Sequence, residues 1–228
     1  MAVLGVIPFH KCEPRFLDGL VPADVKTIVS AAKQRRYPAN SVISNQGDSA
    51  DHFFLLASGR ARYFYLTSQG RKIILRWLTP GDICGQAALL SRPSEYLIGT
   101  EAVHNSSVLV WDRASILGLI ARYPQLADNN LLVMFDYLAF YRDAHIALTH
   151  ETAHQRVAHT LANLASTIGQ RADRGIEVDV RNEELANEAN VTPFTASRLL
   201  SAWQRKGILT KSRGKILLRS PELLFHEV

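Results

Sequence analysis

The chain has 228 residues, 47% hydrophobic and 21% charged, with a net charge of +5, a balance that suits one large or two modest globular domains and excludes fibrous or disordered chains. Its only cysteines, Cys12 and Cys84, exclude a disulfide framework and a four-cysteine zinc or iron–sulfur set. No stretch reaches the length of a membrane helix, and Met1–Val6 lacks the basic start of a signal peptide, so we expect a cytoplasmic protein without membrane contact. The charge is uneven. Thr192 to Val228 holds seven basic and two acidic residues, which places a candidate anion-binding surface at the C-terminal end.

Pro22 to Lys33 reads as a short helix. From Tyr37 to Trp111 the chain is cut into short β-segments: Ser41–Ser44, His52–Leu56, Arg60–Leu66, Lys72–Leu78, Leu97–Ala102 and Ser107–Trp111. Turn signals at Gln46-Gly47-Asp48, Ser58-Gly59, Ser68-Gln69-Gly70 and Pro80-Gly81-Asp82 separate most of them, as in a small antiparallel barrel or sandwich. After Pro124 no Pro or Gly occurs before Gly169, so one long helix or two joined helices are predicted. Within that interval Met134, Leu138, Tyr141, His145, Leu148 and Thr152 alternate in steps of four and three, a coiled-coil seam about three heptads long, which we read as a homodimer contact. A helix lying on the barrel is the competing reading.

Beyond Ala153 the pattern is helical at Arg156–Ile168, extended at Gly175–Val180 and helical again at Glu183–Asn190. Thr192 then caps a helix with Pro193 at its first position. That spacing is a helix-turn-helix. Gly207 ends the second helix, and Ile208–Arg219 reads as a hairpin turning at Arg213-Gly214, the wing of a winged helix.

In this order the motifs resemble the Crp/Fnr family of bacterial transcription regulators. They are Tyr37-Pro38, Gln46-Gly47-Asp48, Ser58-Gly59, Pro80-Gly81-Asp82 with Gly85, Tyr123-Pro124, Leu185-Ala186 and Ser197-Arg198. The resemblance implies an α+β chain: a cyclic-nucleotide-binding-like β-roll sensing an effector (residues 1–122), a dimerisation helix (123–152) and a winged helix-turn-helix (153–228). It implies palindromic double-stranded DNA and RNA polymerase as partners. The family's cyclic-AMP-binding members open their phosphate cassette with Gly-Glu and close it with Arg-Ser. Here those places hold Gly85-Gln86 and Tyr96-Leu97, and the base-contacting pair on the long helix becomes Tyr141-Arg142. With Cys84 these residues form the candidate effector pocket. An uncompensated buried phosphate is strongly unfavourable, which argues against cyclic AMP, and a single N-terminal cysteine argues against an iron–sulfur cluster. Haem, an apolar ligand or no ligand remain open.

The remaining motifs each carry more than one reading. His150-Glu151-Thr152-Ala153-His154 fits the zinc-hydrolase pattern H-E-x-x-H, against an adventitious or regulatory metal site and an ordinary helix in the hinge region. Cys84 is either a haem or redox ligand or a small buried hydrophobe. His10 and Cys12 either reach over a pocket or lie on the surface. His145 is a haem ligand, a pH-sensitive contact or a neutral interface histidine.

In the second helix of the helix-turn-helix, Phe194, Ser197 and Arg198 share one face of one turn. Arg198 can read guanine, Ser197 a base or phosphate, and Phe194 a thymine methyl, unless Phe194 is core. Many family members carry Glu where Phe194 stands. Thr192, Thr195, Arg213 and Lys215 are placed for phosphates.

Overall fold

The structure, a computed structural model, describes residues 14–225. It divides into two compact units, one ending at Leu138 and one beginning at Ala139, and helix α3 belongs to both. His10 and Cys12 lie outside the described residues.

The first unit contains two four-stranded antiparallel sheets. The strands are β1 (Lys33–Tyr37), β2 (Val42–Ser44), β3 (His52–Ser58), β4 (Ala61–Leu66), β5 (Lys72–Leu78), β6 (Ile83–Cys84), β7 (Gly99–Ala102) and β8 (Ser106–Asp112). Their orders are β1-β8-β3-β6 and β2-β7-β4-β5. In the first sheet the central strands β3 and β8 are buried almost throughout, with Phe53, Leu55, Leu109 and Trp111 nearly inaccessible, and in the second the central strand β7 and the first half of β4 are buried. Phe53 contacts Phe16 at 4.8 Å and Trp111 at 6.0 Å between ring centres. Each such side chain contributes roughly 1.5–3 kcal/mol by burial. The Trp111 indole also donates to the Ile28 carbonyl (2.9 Å), which ties helix α1 (Pro22–Ser30) to the sheet.

On the other face of β4, Arg62 and Glu101 form an ion pair at 2.7 Å, Lys72 reaches the second carboxylate oxygen at 2.5 Å, and the Arg62 guanidinium lies 5.6 Å from the Trp77 ring centre. Burial disfavours the Glu101 charge, but the bonds from Lys72 and Arg62 outweigh it and hold the carboxyl below its ordinary value.

Two elements of this unit differ from expectation. Lys33 does not continue α1: Lys33–Tyr37 pairs with β8, Lys33 opposite Val110, as an edge strand whose cations face solvent. Arg113–Arg122 forms α2, started by the Asp112 carboxylate accepting from the Ser115 amide (2.8 Å).

The region after Pro124 resolves as two helices, α3 (Gln125–His150) and α4 (Ala153–Thr167). Thr152 separates them. Its hydroxyl accepts from the Gln155 amide while the Gln155 side chain accepts from the Thr152 amide, a capping box that ends one helix and starts the other.

In the second unit, α5 (Asn182–Glu188) and α6 (Pro193–Arg205) pack together. They stand with α4 beside a sheet of order β11-β12-β10-β9, where β9 is Gln170–Ala172, β10 Gly175–Asp179, β11 Leu209–Ser212 and β12 Lys215–Leu218. Strand β9 carries no apolar alternation, because all three of its residues are exposed. The core is Leu161, Leu164, Val178, Leu185, Leu200, Trp203 and Leu218. Among the described residues no helix is long and apolar enough to cross a membrane.

Candidate functional site

Helix α6 begins as expected: Thr192 is its N-cap, its hydroxyl accepting from the Thr195 amide at 3.1 Å and lying 2.9 Å from the Thr195 hydroxyl. Its inner face carries Ala196, Leu200 and Trp203, all buried. That fixes what is left outside. Phe194 is 78% exposed and Arg198 is exposed, with Ser197 half-buried between them. An aromatic ring in the first turn of a helix left that open has no part in the core of this unit.

In the wing, Arg213 is exposed at the turn, where Gly214 takes the left-handed φ of +75° that the hairpin requires. Lys215 stands differently, because its ammonium is paired with Glu177 on β10 at 2.7 Å, a hydrogen bond that raises its pKa. A basic side chain already paired with a carboxylate brings little net charge to a phosphate. Lys211, which the sequence reading passed over, points its ammonium to the Ser201 hydroxyl of α6 (2.9 Å) and joins wing to helix.

In the first unit, Cys84, Gly85 and Gln86 form a tight bend after β6. Gly85 has φ +79°, and a Cβ there would lie 2.7 Å from the His52 carbonyl and 2.8 Å from the Phe54 ring. Burial pushes the Cys84 thiol up to about 12, against a hydrogen bond with Thr100 that lowers it. Burial thus favours the neutral thiol at this bend. The Gln86 carboxamide donates to the Ile83 carbonyl (3.3 Å), and its oxygen lies 3.3 Å from the Tyr63 hydroxyl. Tyr63 and Tyr137, from β4 and α3, both donate to that carbonyl, at 3.0 and 3.2 Å. Their rings meet edge-on at 6.0 Å, and the Arg76 guanidinium stands 4.5 Å from the Tyr137 ring centre. Sequence reading missed Arg76 and Tyr137, because only the fold brings β5 and α3 to this bend.

Tyr96 is buried beside Phe54 (6.2 Å between rings) and bonds the backbone of His52, whereas Leu97 is 82% exposed. Both line a cavity of about 760 Å³ together with Tyr65, Ser49, Pro93 and Glu95. The two positions that would meet a cyclic phosphate thus supply no cation and no free donor: one phenol is engaged by backbone and one side chain is aliphatic. The arrangement does not fit cyclic AMP held in that manner. Tyr141 and Arg142 belong to the second unit, where Tyr141 packs on Phe140 and Arg142 bonds its neighbour Asp143.

Along the first half of α3, Met134 packs against the core of the roll, while Leu131, Leu132, Phe135 and Leu138 are exposed, each by more than half. In the second unit His145 is exposed and Leu148 is 46% exposed.

The zinc-hydrolase reading is corrected by the helix break. His150 ends α3 and His154 lies in α4, with the Thr152 cap between them, so the histidines do not share one helical face. The His154 ring packs on Trp203 (5.1 Å), Glu151 pairs with His159 (2.7 Å), and among the described residues no three His, Cys, Asp or Glu side chains are placed to hold a metal.

Residues 34–123 match the cyclic nucleotide-binding domain, and residues 155–226 match the Crp-like helix-turn-helix domain. The chain is 32% identical over 209 residues to a cyclic AMP receptor protein of Thermus thermophilus, an alignment covering 90% of this chain and 93% of that one. The chain belongs to the Crp/Fnr family. An anaerobic regulatory protein of Bacillus subtilis is 22% identical over 92% of this chain and 90% of its own. Among solved structures, FixK2 from Bradyrhizobium japonicum is similar with TM-score 0.73 and 25% identity, covering 86% of this chain and 96% of that one. This member of the family is accordingly a DNA-binding transcription regulator with an effector-type β-roll, and not an enzyme.

Proposed function

We propose that the protein acts in the cytoplasm as a homodimer on a palindromic operator, presenting one α6 to each half-site about 34 Å apart. The exposed first turn of α6 carries this reading. With its inner face committed to the core, Arg198 is left to donate two hydrogen bonds to a guanine, Phe194 to touch a thymine methyl, and Ser197, Thr192 and Thr195 to bond nearby acceptors. Arg213 meets phosphate, and Lys215 contributes less because Glu177 neutralises it.

The dimer seam in this proposal is set by the exposed stripe of α3, Leu131, Phe135 and Leu138, continued by His145 at the same heptad spacing. It keeps Leu138 and His145 of the predicted seam Met134, Leu138, Tyr141, His145 and Leu148, and takes Leu131 and Phe135 in place of Met134, which is turned toward the roll. The dimerisation segment is functionally residues 123–152, shared between the two compact units.

For the effector, the Thermus relative's name points to cyclic AMP, while Tyr96 and Leu97 point away from it. We favour an effector other than a cyclic nucleotide, acting on the bend at Cys84–Gln86, from which Tyr63 and Tyr137 carry a displacement to α3. RNA polymerase is the expected downstream partner. Selection of duplexes from a randomised library by the full-length protein tests the reading: an enriched palindrome is expected, and no enrichment above random duplex overturns it.

A further inference from the structure

Three backbone carbonyls from two distant stretches of chain converge on one guanidinium. Arg156, in the first turn of α4, donates Nη1 to the Glu151 carbonyl (2.7 Å), Nε to the Ala189 carbonyl (3.0 Å) and Nη2 to the Asn190 carbonyl (3.3 Å). Glu151 is the last residue before the cap that separates α3 from α4. Ala189 and Asn190 form the turn of the helix-turn-helix, with Asn190 at φ +48° and two residues ahead of the α6 cap. Glu151 is held a second time: its Oε1 lies 2.7 Å from His159 Nδ1, one turn further along α4.

A break between helices leaves the backbone free to swing unless something spans it. Here the main chain and the carboxylate of the break residue are both fastened to α4, and the guanidinium that fastens the main chain also fastens the turn leading into α6. Only a planar fork with several donors bridges three carbonyls in this way; an ammonium is a point charge on a flexible stem. We propose that Arg156, with Glu151, is the positioning device that makes α6 follow the end of α3, and so sets the half-site spacing that the dimer accepts. The proposal rests on the DNA-binding reading above. Arg156 touches no base in it and acts through the backbone of the turn.

The test uses the full-length protein and the palindrome it selects from a randomised library. Wild type, Arg156→Ala, Arg156→Lys and Glu151→Gln are titrated against that duplex, the same duplex with two base pairs inserted between half-sites, and a random duplex. Two base pairs rotate one half-site by about 70° relative to the other. Wild type is expected to prefer the native spacing at least ~30-fold, and Arg156→Ala and Arg156→Lys less than ~5-fold, with random-duplex affinity of the charge-conserving Lys variant within about twofold of wild type. Glu151→Gln, which weakens only the His159 arm, is expected to fall between. Should the Ala variant fail to fold, the Lys variant decides. Wild-type spacing preference in Arg156→Lys overturns the proposal, as does an equal loss of affinity for all three duplexes. Failure of wild type to select any palindrome overturns the DNA-binding reading itself, a separate result.

Discussion

The Tyr96 hydroxyl donates to the His52 carbonyl at 2.8 Å and accepts from the His52 amide at 3.0 Å, so one phenol closes a backbone donor and acceptor at the head of β3. A side chain committed in this way stabilises the roll and leaves nothing for a ligand phosphate. Tyr96→Phe is expected to lower roll stability by about 1–3 kcal/mol, since it leaves both His52 groups without this partner. Isothermal calorimetry is expected to show no micromolar binding of cyclic AMP to wild type or to this variant. Micromolar binding to wild type would contradict the pocket geometry.

The orientation of α3 gives a contrast between adjacent residues. Phe135→Lys places a charge on the exposed stripe and should yield a folded monomer at low micromolar concentration. Met134→Ala removes packing from the roll and should cost about 2 kcal/mol or more of stability while leaving the dimer intact. Analytical ultracentrifugation with thermal unfolding separates the two, and a dimeric Phe135→Lys or a monomeric Met134→Ala would reverse the assignment.

How far the sequence could be read depended on whether the signal was local. Thr192-Pro193, Gly214 and the apolar run of β3 each announce their element, because caps, left-handed turns and buried strands are chemical demands on single residues. Lys33–Tyr37 and Gln170–Ala172 carry no apolar alternation, and their pairing is supplied by β8 and β10. The orientation of α3 was illegible for a similar reason: Met134 and Phe135 are both apolar, and only the packed roll decides that Met134 is turned inward. The site behaved likewise. The exposed turn of α6 follows from helical periodicity, whereas Arg76 and Tyr137 meet across the fold and Arg156 reaches Ala189 and Asn190, more than 30 residues away.

Two buried acids give the roll an alkaline limit. Cys84 is raised to about 12 and Tyr96 to about 12, each chiefly by burial, from ordinary values of 9.0 and 10.0. A folded-state value above the unfolded one means stability is complete below the unfolded value and is lost as pH rises toward the folded one. Stability should therefore fall progressively from pH 9 to 12. In a Cys12→Ser background the native protein should resist alkylation at pH 8, and rapid labelling there would show that the thiol is accessible and ionised.

Glu101 works in the opposite direction. Held below its ordinary 4.5 by Lys72 and Arg62, against the effect of burial, it contributes stability that is present above that value and is lost as pH falls below it. Glu101→Gln leaves the Arg62 guanidinium buried against Trp77 without its carboxylate and should cost about 3 kcal/mol or more at pH 7. Denaturant unfolding at pH 7 and pH 4 checks both statements: the wild-type advantage over the variant should shrink at the lower pH.

With the first turn of α6 reading sequence and the wing holding phosphate, library binding by Arg198→Ala and Arg213→Ala at two salt concentrations, read by sequencing, separates the two roles. Arg198→Ala should cost roughly 1–3 kcal/mol on the selected operator and little on random duplex, relaxing preference at one guanine in each half-site. Arg213→Ala should weaken all sequences alike and lower the salt slope by about one, a larger change than Lys215→Ala produces, since Glu177 already balances that lysine. If Arg198→Ala lowers affinity for every sequence by the same factor and leaves their ranking unchanged, Arg198 contacts only the DNA backbone, and the assignment of α6 as the reading helix is contradicted.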